Sequence, residues 1–328
     1  MNRRNQILLG VLAVQLALTG FIWLRSSGGG PQEAGPLLPG VTETNVVRLT
    51  VENRDGNRVV LAKSGGSWVL PDLDEFPADE SKVRELLEKL PQLRTDRLVA
   101  ESETSHRRLK VAPDEFERKL TLQTADGKEQ ILWIGTTAGG RTSHVRVGDD
   151  KRVYLADDLA SWQLAVAPQW MDRHALFLKR TERRSSLLEI ENAQGRWTFR
   201  KSDDGTWTME GLRSGETLDT SKVNGLASRL AALYLSAPIG KERKPKYGLD
   251  RPAARVTLTL KAKAQNEGEE EPAETRKQLL IGAKDDENNG YYVLSPDSKY
   301  PDFVVRIAAY NLREFVEHGR KDFLKQEG

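Results

Sequence analysis

The chain has 328 residues, of which 50 are Lys or Arg and 48 are Asp or Glu, so its formal net charge at pH 7 is only +2. This balance provides no overall attraction to nucleic acid or to an anionic membrane surface. Because the chain has no cysteine, disulfides, thiolate metal sites, a cysteine nucleophile and a lipidated cysteine are excluded. The length allows about two domains.

An apolar run, Ile7–Leu24, follows residues 1–6, which carry Arg3 and Arg4. A helix of this length, at about 1.5 Å per residue, approaches the hydrocarbon thickness of a bilayer. We therefore predict a transmembrane anchor at residues 7–24. Since more positive charge precedes the run than follows it, residues 1–6 are expected in the cytoplasm and the rest of the chain outside it. A cleaved signal peptide and a buried core helix are the alternatives.

Residues 25–43 are rich in Gly and Pro, beginning with Gly28-Gly29-Gly30-Pro31. Such a composition is typical of a flexible tether. We expect this segment to link the membrane anchor to a folded domain.

A strand is predicted at Val46–Val51, because its side chains alternate and are rich in β-branched residues. Asp55-Gly56 predicts a hairpin turn, and a further strand carries Trp68. Trp68 is expected in the core, and stacking on a ligand is the alternative. Asp79 is the expected N-cap of a helix whose apolar residues recur at helical spacing.

The chain continues with short strands at residues 97–100, 120–123, 130–134, 143–147 and 152–155. The segment His106-Arg107-Arg108 is expected in a polar connection. Asp157 or Asp158 is the expected cap of a final helix that contains Leu159, Trp162 and Val166. This order predicts an α+β domain with helices packed on an antiparallel sheet.

The same pattern recurs later in the chain. Trp207 lies 139 residues after Trp68, and Ser221-Lys222-Val223 lies 140 residues after Ser81-Lys82-Val83. Further matches are Ile134-Gly135 with Ile281-Gly282, and Val153–Ala156 with Val305–Ala308, and the second copy carries an acidic insertion, Ala264–Glu274. We predict two tandem homologous α+β domains, residues 44–178 and 185–326, and the second is expected to close with a helix that contains Leu312, Phe315 and Val316.

Four segments carry a resemblance to a known family: the Gly-x-Trp strand, the Ser-Lys-Val helix, Tyr247-Gly248-Leu249-x-x-Pro252, and the strand that ends in Ile281-Gly282. Together they resemble the bacterial domain-of-unknown-function family 4340 (DUF4340). The first copy departs from the pattern, with Leu109-Lys110-Val111-Ala112-Pro113 in place of the Tyr-Gly-Leu segment. The resemblance implies a single-pass protein of the bacterial inner membrane, often encoded beside ABC-type exporter subunits similar to those associated with gliding motility. It implies no catalytic residues.

Motifs with a chemical mechanism are scarce. The four histidines, His106, His144, His174 and His318, do not form a pair at helical metal-ligand spacing. The run Asp285–Gly290 resembles the start of a calcium loop, but its twelfth position is Pro296 where a bidentate Glu is required, so a turn is predicted. The basic run Lys241–Lys246 predicts a solvated loop, with contact to anionic headgroups as the alternative. We therefore predict no catalytic, cofactor-binding or metal-binding residue and no cofactor.

These observations favour a non-catalytic extracytoplasmic accessory protein. Its expected partners are the lipid bilayer, through Ile7–Leu24, and subunits of an ABC-type exporter, with no nucleic acid. An envelope glycan- or peptide-binding module that uses the cleft between the two repeats is the alternative. A hydrolase that uses a carboxylate pair is a third hypothesis.

Overall fold

The computed structural model describes residues 12–20, 34–166, 168–174, 185–261 and 274–325. These residues form mostly antiparallel strands with a few helices, so the predicted α+β class is confirmed. The first part of the chain contains α1 (12–20), β1 (Val46–Asn53), β2 (Arg58–Ser64), β3 (Ser67–Leu70), β4 (Phe76–Pro77), α2 (Glu80–Lys89), β5 (Leu98–Ala100), α3 (Glu103–Arg108), β6 (Val111–Ala112), β7 (Glu115–Phe116), β8 (Arg118–Thr124), β9 (Glu129–Gly139), β10 (Thr142–Val147) and β11 (Val153–Ala156). The second part contains β12 (Ser185–Asn192), β13 (Gly195–Lys201), β14 (Trp207–Met209), α4 (Thr220–Ala231), β15 (Ala237–Gly240), β16 (Ala254–Leu260), β17 (Thr275–Asp285), β18 (Gly290–Leu294), β19 (Val304–Ala308) and α5 (Ala309–Glu317).

Two large sheets share one connectivity, and β6 and β7 pair with each other in a small third sheet. The first has the strand order β4-β3-β2-β1-β8-β9-β10-β11-β5, and the second has the order β14-β13-β12-β16-β17-β18-β19-β15. Element by element the orders match, except that β4 has no counterpart in the second sheet. We refer to residues 44–178 and 185–326 as the first and second repeats.

The chain divides into two compact units that do not coincide with the repeats. One unit contains residues 1–45, 87–119 and 130–164, and the other contains 46–86, 120–129 and 165–328. The first unit has a core cluster of Leu109, Val111, Phe116, Trp133 and Val153, and the second has one of Tyr247, Leu294 and Val304. The domain boundaries drawn from the sequence therefore remain a prediction.

The strand pairings correct one match between the repeats. Val145 lies opposite Ile134 and Tyr154, whereas Val293 lies opposite Ile281 and Val305. Tyr154 thus corresponds to Val305, one residue away from the match of Val153 with Val305 that the sequence favoured. A shift of one residue would turn every side chain of the strand to the other face of the sheet, so the pairing decides the register.

The Ser-Lys-Val motif recurs because it starts a helix and closes each repeat. Asp79 Oδ1 accepts hydrogen bonds from the backbone N–H groups of Ser81 (3.2 Å) and Lys82 (3.4 Å), so the predicted N-cap is confirmed. Lys82 Nζ donates to the carbonyl of Gln169 at 2.7 Å, near the end of the first repeat.

The second repeat has the same arrangement. Asp219 Oδ1 accepts from the N–H groups of Ser221 (3.1 Å) and Lys222 (3.4 Å), and Lys222 Nζ donates to the carbonyl of Asp322 at 2.9 Å. In both repeats the lysine of the motif therefore joins the start of the helix to the end of the repeat.

The predicted final helix of the first repeat is wrong. Only a short 3₁₀ turn, Ser161–Gln163, lies in that segment. Asp157 accepts hydrogen bonds from Arg97 and Thr142 instead of capping a helix, and Asp158 has a left-handed backbone with a φ of 57°. The second repeat does form its predicted closing helix, α5, with Leu312 and Phe315 buried.

The predicted polar connection at His106 is also wrong. This segment is a helix, α3, and His106 is buried with its Nε2 2.7 Å from the carbonyl oxygen of Lys151. The imidazole forms a hydrogen bond with a backbone carbonyl in the interior. The sequence pattern did not indicate this burial, because the residues on either side of His106 are polar.

The expected flexible tether, residues 25–43, is wrong for its described part. Leu37, Leu38 and Val41 are buried, and the Leu37 N–H donates to the carbonyl of Leu93 at 2.7 Å. Burial of these three apolar side chains stabilises the packing of this stretch in the first unit. Residues 25–33 lie outside the described residues, as does the acidic insertion Ala264–Glu274 apart from Glu274 itself.

The predicted anchor is described only in its middle. Residues 12–20 are helical, with exposed apolar side chains, and residues 7–11 and 21–24 lie outside the described residues. Across the described ranges, none of the helices has both the length and the apolar character that a bilayer crossing requires.

Candidate functional site

The two repeated tryptophans belong to the core. Trp68 and Trp207 are both buried, and each lies under a lysine ammonium 5.6 Å from its ring centroid, Lys63 and Lys201 respectively. A ring that stacks on a ligand needs an open face, which neither ring has. The structural interpretation of both tryptophans is therefore confirmed.

The repeated Ile-Gly pair marks a close backbone crossing. A Cβ on Gly135 would lie 2.0 Å from the carbonyl oxygen of Leu109, and a Cβ on Gly282 would lie 2.0 Å from that of Tyr247. Only glycine permits such an approach. The crossing also explains the departure at Leu109-Lys110-Val111, because Lys110 (φ 56°) adopts the left-handed backbone that Gly248 (φ 64°) has in the second repeat.

The four histidines lie in four different surroundings. His106 is buried in α3, and His144 Nδ1 lies 2.9 Å from the carbonyl oxygen of Thr136. His174 is exposed, and the ring of His318 packs edge-on against Phe323. Within the described ranges, no group of three or more His, Asp or Glu side chains is arranged to hold a metal ion.

The calcium-like run is the predicted turn, and it joins β17 to β18. Asp285 accepts hydrogen bonds from Arg306 Nη1 and from Asn288 Nδ2, both at 3.0 Å. Burial raises the pKa of Asp285, but the hydrogen bonds from Arg306 and Asn288 outweigh burial and the pKa is lowered overall. The carboxylate therefore ties the turn to β19.

The terminal strand of the second sheet, β15, is covered by the 71–76 segment. Asp74 Oδ2 accepts a hydrogen bond from the N–H of Lys241 at 3.3 Å, immediately after β15. A Cβ on Gly240 would lie 2.6 Å from the same oxygen, so this glycine makes room for the carboxylate. Beside this contact, the rings of Phe76 and Phe303 pack edge to face at 5.0 Å. The β15 edge of the second sheet is thereby protected from pairing with another strand.

The corresponding strand, β5, is the last strand of the first sheet, and no other described strand pairs with its outer side. Ala100 lies opposite Val153 as Gly240 lies opposite Val304, so the two edges are equivalent. Leu98 and Val99 are 46% and 43% exposed. We call Leu98–Ala100 the β5 edge; its outer side has no strand partner among the described residues, and two of its apolar side chains are exposed.

A second surface feature lies beside α5 in the second unit. It is a cleft of about 360 Å³, and its lining includes Lys284, Asn289, Tyr291, Tyr310, Arg313 and Glu317. We call it the Tyr310 cleft. Its volume falls within the range of about 300–1,000 Å³ that is usual for small-molecule sites.

Tyr310 is held in place although its side chain is largely in solvent. It is 64% exposed, yet its hydroxyl lies 2.8 Å from the hydroxyl of Tyr234. The guanidinium of Arg173 covers the Tyr234 ring at 4.5 Å from the centroid, and Arg173 Nε donates to the carbonyl of Leu235 at 3.1 Å. The hydrogen bond with Tyr310 raises the pKa of Tyr234.

Charges of both signs surround the cleft. Arg313 Nε lies 3.6 Å from Glu317 Oε2, one turn along α5, and Lys284 Nζ lies 2.8 Å from Asp286 Oδ1. Glu314, also in the lining, is paired with Arg229 at 2.8 Å. The cleft therefore offers hydrogen-bond donors and acceptors in similar number.

The sequence did not single out either surface. Tyr310 lies near Leu312 and Phe315 on a helix that was predicted, but its partners Tyr234 and Arg173 are far away along the chain. The β5 edge was predicted as a strand, and its exposure depends on which strands surround it. The only available signal was that Tyr310 lies off the buried stripe of α5.

A family model described as "Domain of unknown function (DUF4340)" matches residues 68–252 and, in a second overlapping match, residues 214–324. The family resemblance and its two copies are thereby confirmed. No curated protein matches the chain, and no solved structure matches it.

Proposed function

Because the chain belongs to the DUF4340 family, whose description names no activity, we propose its role from its own surfaces. It is a non-catalytic interaction protein of the bacterial inner membrane, anchored once by residues 7–24. Residues 1–6 lie in the cytoplasm, and the residues after the anchor lie outside it. The positive charge before the apolar run supports this orientation. Two tandem homologous domains follow the anchor, and the shared strand order of the two sheets supports that duplication.

One observation carries the proposal: within the part of the chain that the structure describes, the β15 edge is covered and the equivalent β5 edge is not. Exposed edge strands are usually short, charged or covered, because they pair readily with other strands. The β5 edge is short, but it carries two exposed apolar side chains where a protective charge would be expected. Such an edge suits a partner protein that adds a strand and seats its own apolar side chains there.

The partner that the family resemblance implies is a subunit of an ABC-type exporter. An anchored domain restricts its edge to the neighbourhood of the membrane, so a weak edge-to-strand contact gains from a high effective concentration. The chain then acts as an extracytoplasmic accessory of the exporter.

The test is site-specific photocrosslinking in the native host. A photoreactive amino acid replaces Val99 on the β5 edge in the full-length chain, and the matched control carries it at Leu212, an exposed apolar residue of the second repeat. We expect exporter subunits to crosslink from position 99 and not from position 212. Absence of exporter crosslinks at position 99, or equal yields at both positions, would contradict the proposal.

The alternative role is an envelope glycan- or peptide-binding module. Its location in the cleft between the two repeats stays a prediction. The Tyr310 cleft favours this class of function, because it joins a fixed aromatic side chain to several hydrogen-bonding groups inside the second repeat.

A further inference from the structure

Tyr310 has the features of a stacking platform. An exposed tyrosine is normally free to rotate, but Tyr310 is tied through its hydroxyl to Tyr234, which is itself covered by Arg173. A side chain that is ordered in advance loses less conformational entropy when a ligand binds. The arrangement therefore presents a fixed ring face to solvent beside a cavity of about 360 Å³.

The lining narrows the chemistry of the ligand. Lys284 and Arg313 contribute two positive charges, and Glu314 and Glu317 contribute two negative ones. A balanced set of charges does not favour an anion or a cation, because each would meet repulsion from groups of its own sign. It does favour a neutral molecule with many hydroxyl groups, which both donate to carboxylates and accept from Lys, Arg and Asn.

A peptide bound as an added strand does not fit this location. β18 carries Tyr291 on the wall of the cleft, and it is paired on one side with β17 and on the other with β19. Its backbone hydrogen bonds are therefore already used, and strand addition requires a free edge.

We propose that the Tyr310 cleft binds a neutral saccharide, with one sugar ring stacked on Tyr310 and its hydroxyls bonded to Lys284, Asn289, Arg313 and the glutamates. The proposal rests on the alternative role as a glycan-binding module and names its site and ligand class. The site belongs to the second repeat, because the segment 157–166 of the first repeat forms a 3₁₀ turn in place of a closing helix.

The experiment titrates the full-length chain with maltotriose, cellotriose and chitotriose, in a detergent that has no sugar headgroup. Saturation-transfer NMR reports which sugar protons contact the protein. We expect at least one of the three to bind with a Kd on the order of 1 mM, which is weak but measurable. Replacement of Tyr310 by Ala should weaken binding about tenfold, since it removes the stacking face.

Two variants control for the aromatic side chain itself. Trp162 is 61% exposed in the other unit, so Trp162→Ala removes an aromatic ring of similar exposure and should leave binding unchanged. Tyr310→Phe keeps the ring and loses only the hydroxyl tie, so it should bind more tightly than Tyr310→Ala.

Three results would overturn the proposal: no transfer signal from any of the three sugars, binding that survives Tyr310→Ala, or stronger binding of the anionic 3′-sialyllactose than of the neutral sugars. Each is separable from the partner hypothesis. The exporter crosslink from position 99 does not involve the Tyr310 cleft, and it should persist in the Tyr310→Ala variant.

Discussion

The close crossing at Gly135 and Gly282 makes a quantitative prediction about stability. In Gly135→Ala the new methyl would lie 2.0 Å from the Leu109 carbonyl oxygen, 2.7 Å from the Lys110 carbonyl oxygen and 2.8 Å from Val111 Cγ1. Two of these atoms are backbone, so the segment 109–111 must move as a whole to relieve the overlap. We expect a loss of about 1–3 kcal/mol in the free energy of unfolding, the usual cost of overpacking a core.

Gly282→Ala should behave alike in the second repeat, where the carbonyl oxygen of Tyr247 lies 2.0 Å from the new methyl and Leu249 Cδ2 lies 3.1 Å away. Gly225 provides the matched control. It lies within α4, and a Cβ there meets nothing within 4 Å. Gly225→Ala should therefore raise stability by about 0.5–1 kcal/mol, because alanine loses less backbone entropy in a helix.

The measurement is urea unfolding of residues 34–328, followed by tryptophan fluorescence and circular dichroism, with the wild type and the three variants side by side. The starting point keeps Leu37 and Leu38, which are part of the core. If Gly135→Ala and Gly282→Ala both stayed within about 0.5 kcal/mol of the wild type, the two backbones would not cross as closely as described. A loss of stability in Gly225→Ala would show that the helix surface is covered.

Two further predictions concern pH and topology. Hydrogen bonds from Arg320 lower the pKa of Glu216 from 4.5 to about 2. The ion pair of Glu216 with Arg320 therefore stabilises the fold fully above pH 4.5, and this stabilisation is lost as the pH falls towards 2. The loss of unfolding free energy caused by Glu216→Gln should shrink over the same pH range. A loss that stays constant down to about pH 2.5 would refute the pairing. For topology, a C-terminal alkaline phosphatase fusion should be active and a C-terminal green fluorescent protein fusion should not fluoresce, because the positive charge of Arg3 and Arg4 favours a cytoplasmic N-terminus. Fluorescence without phosphatase activity would place the repeats in the cytoplasm.

Several features of the fold could be predicted from the sequence because they depend on neighbours along the chain. Asp79 and Asp219 cap helices by accepting hydrogen bonds from the backbone N–H groups two and three positions later. The Asp-x-Ser-Lys spacing therefore predicts the helix start without any tertiary information. The tryptophans, the Ser-Lys-Val segments and the Ile-Gly pairs each recur, and recurrence is a property of the string of residues. Duplication, the α+β class and the family were therefore accessible before the structure.

Other features were decided only by tertiary contacts. The final helix of the first repeat had the required spacing of apolar residues, but Asp157 is engaged by Arg97 and Thr142, which are distant in sequence. The glycines and prolines of residues 34–41 predicted a flexible tether. Burial of Leu37 and Leu38 instead fixes this segment in the first unit. Local propensity is weak compared with such contacts, so the contacts prevail.

The two candidate surfaces depend entirely on such contacts. Whether an edge strand is open is determined by what lies beside it: Asp74 reaches Lys241 across the second unit, whereas Leu98 and Val99 of the equivalent strand remain exposed. The Tyr310 cleft likewise requires Arg173, Tyr234 and Tyr310 to meet from three separate segments of the chain. A sequence pattern records the spacing within an element, and it carries no information about which element will lie opposite; the folded chain alone determines where surface is left uncovered.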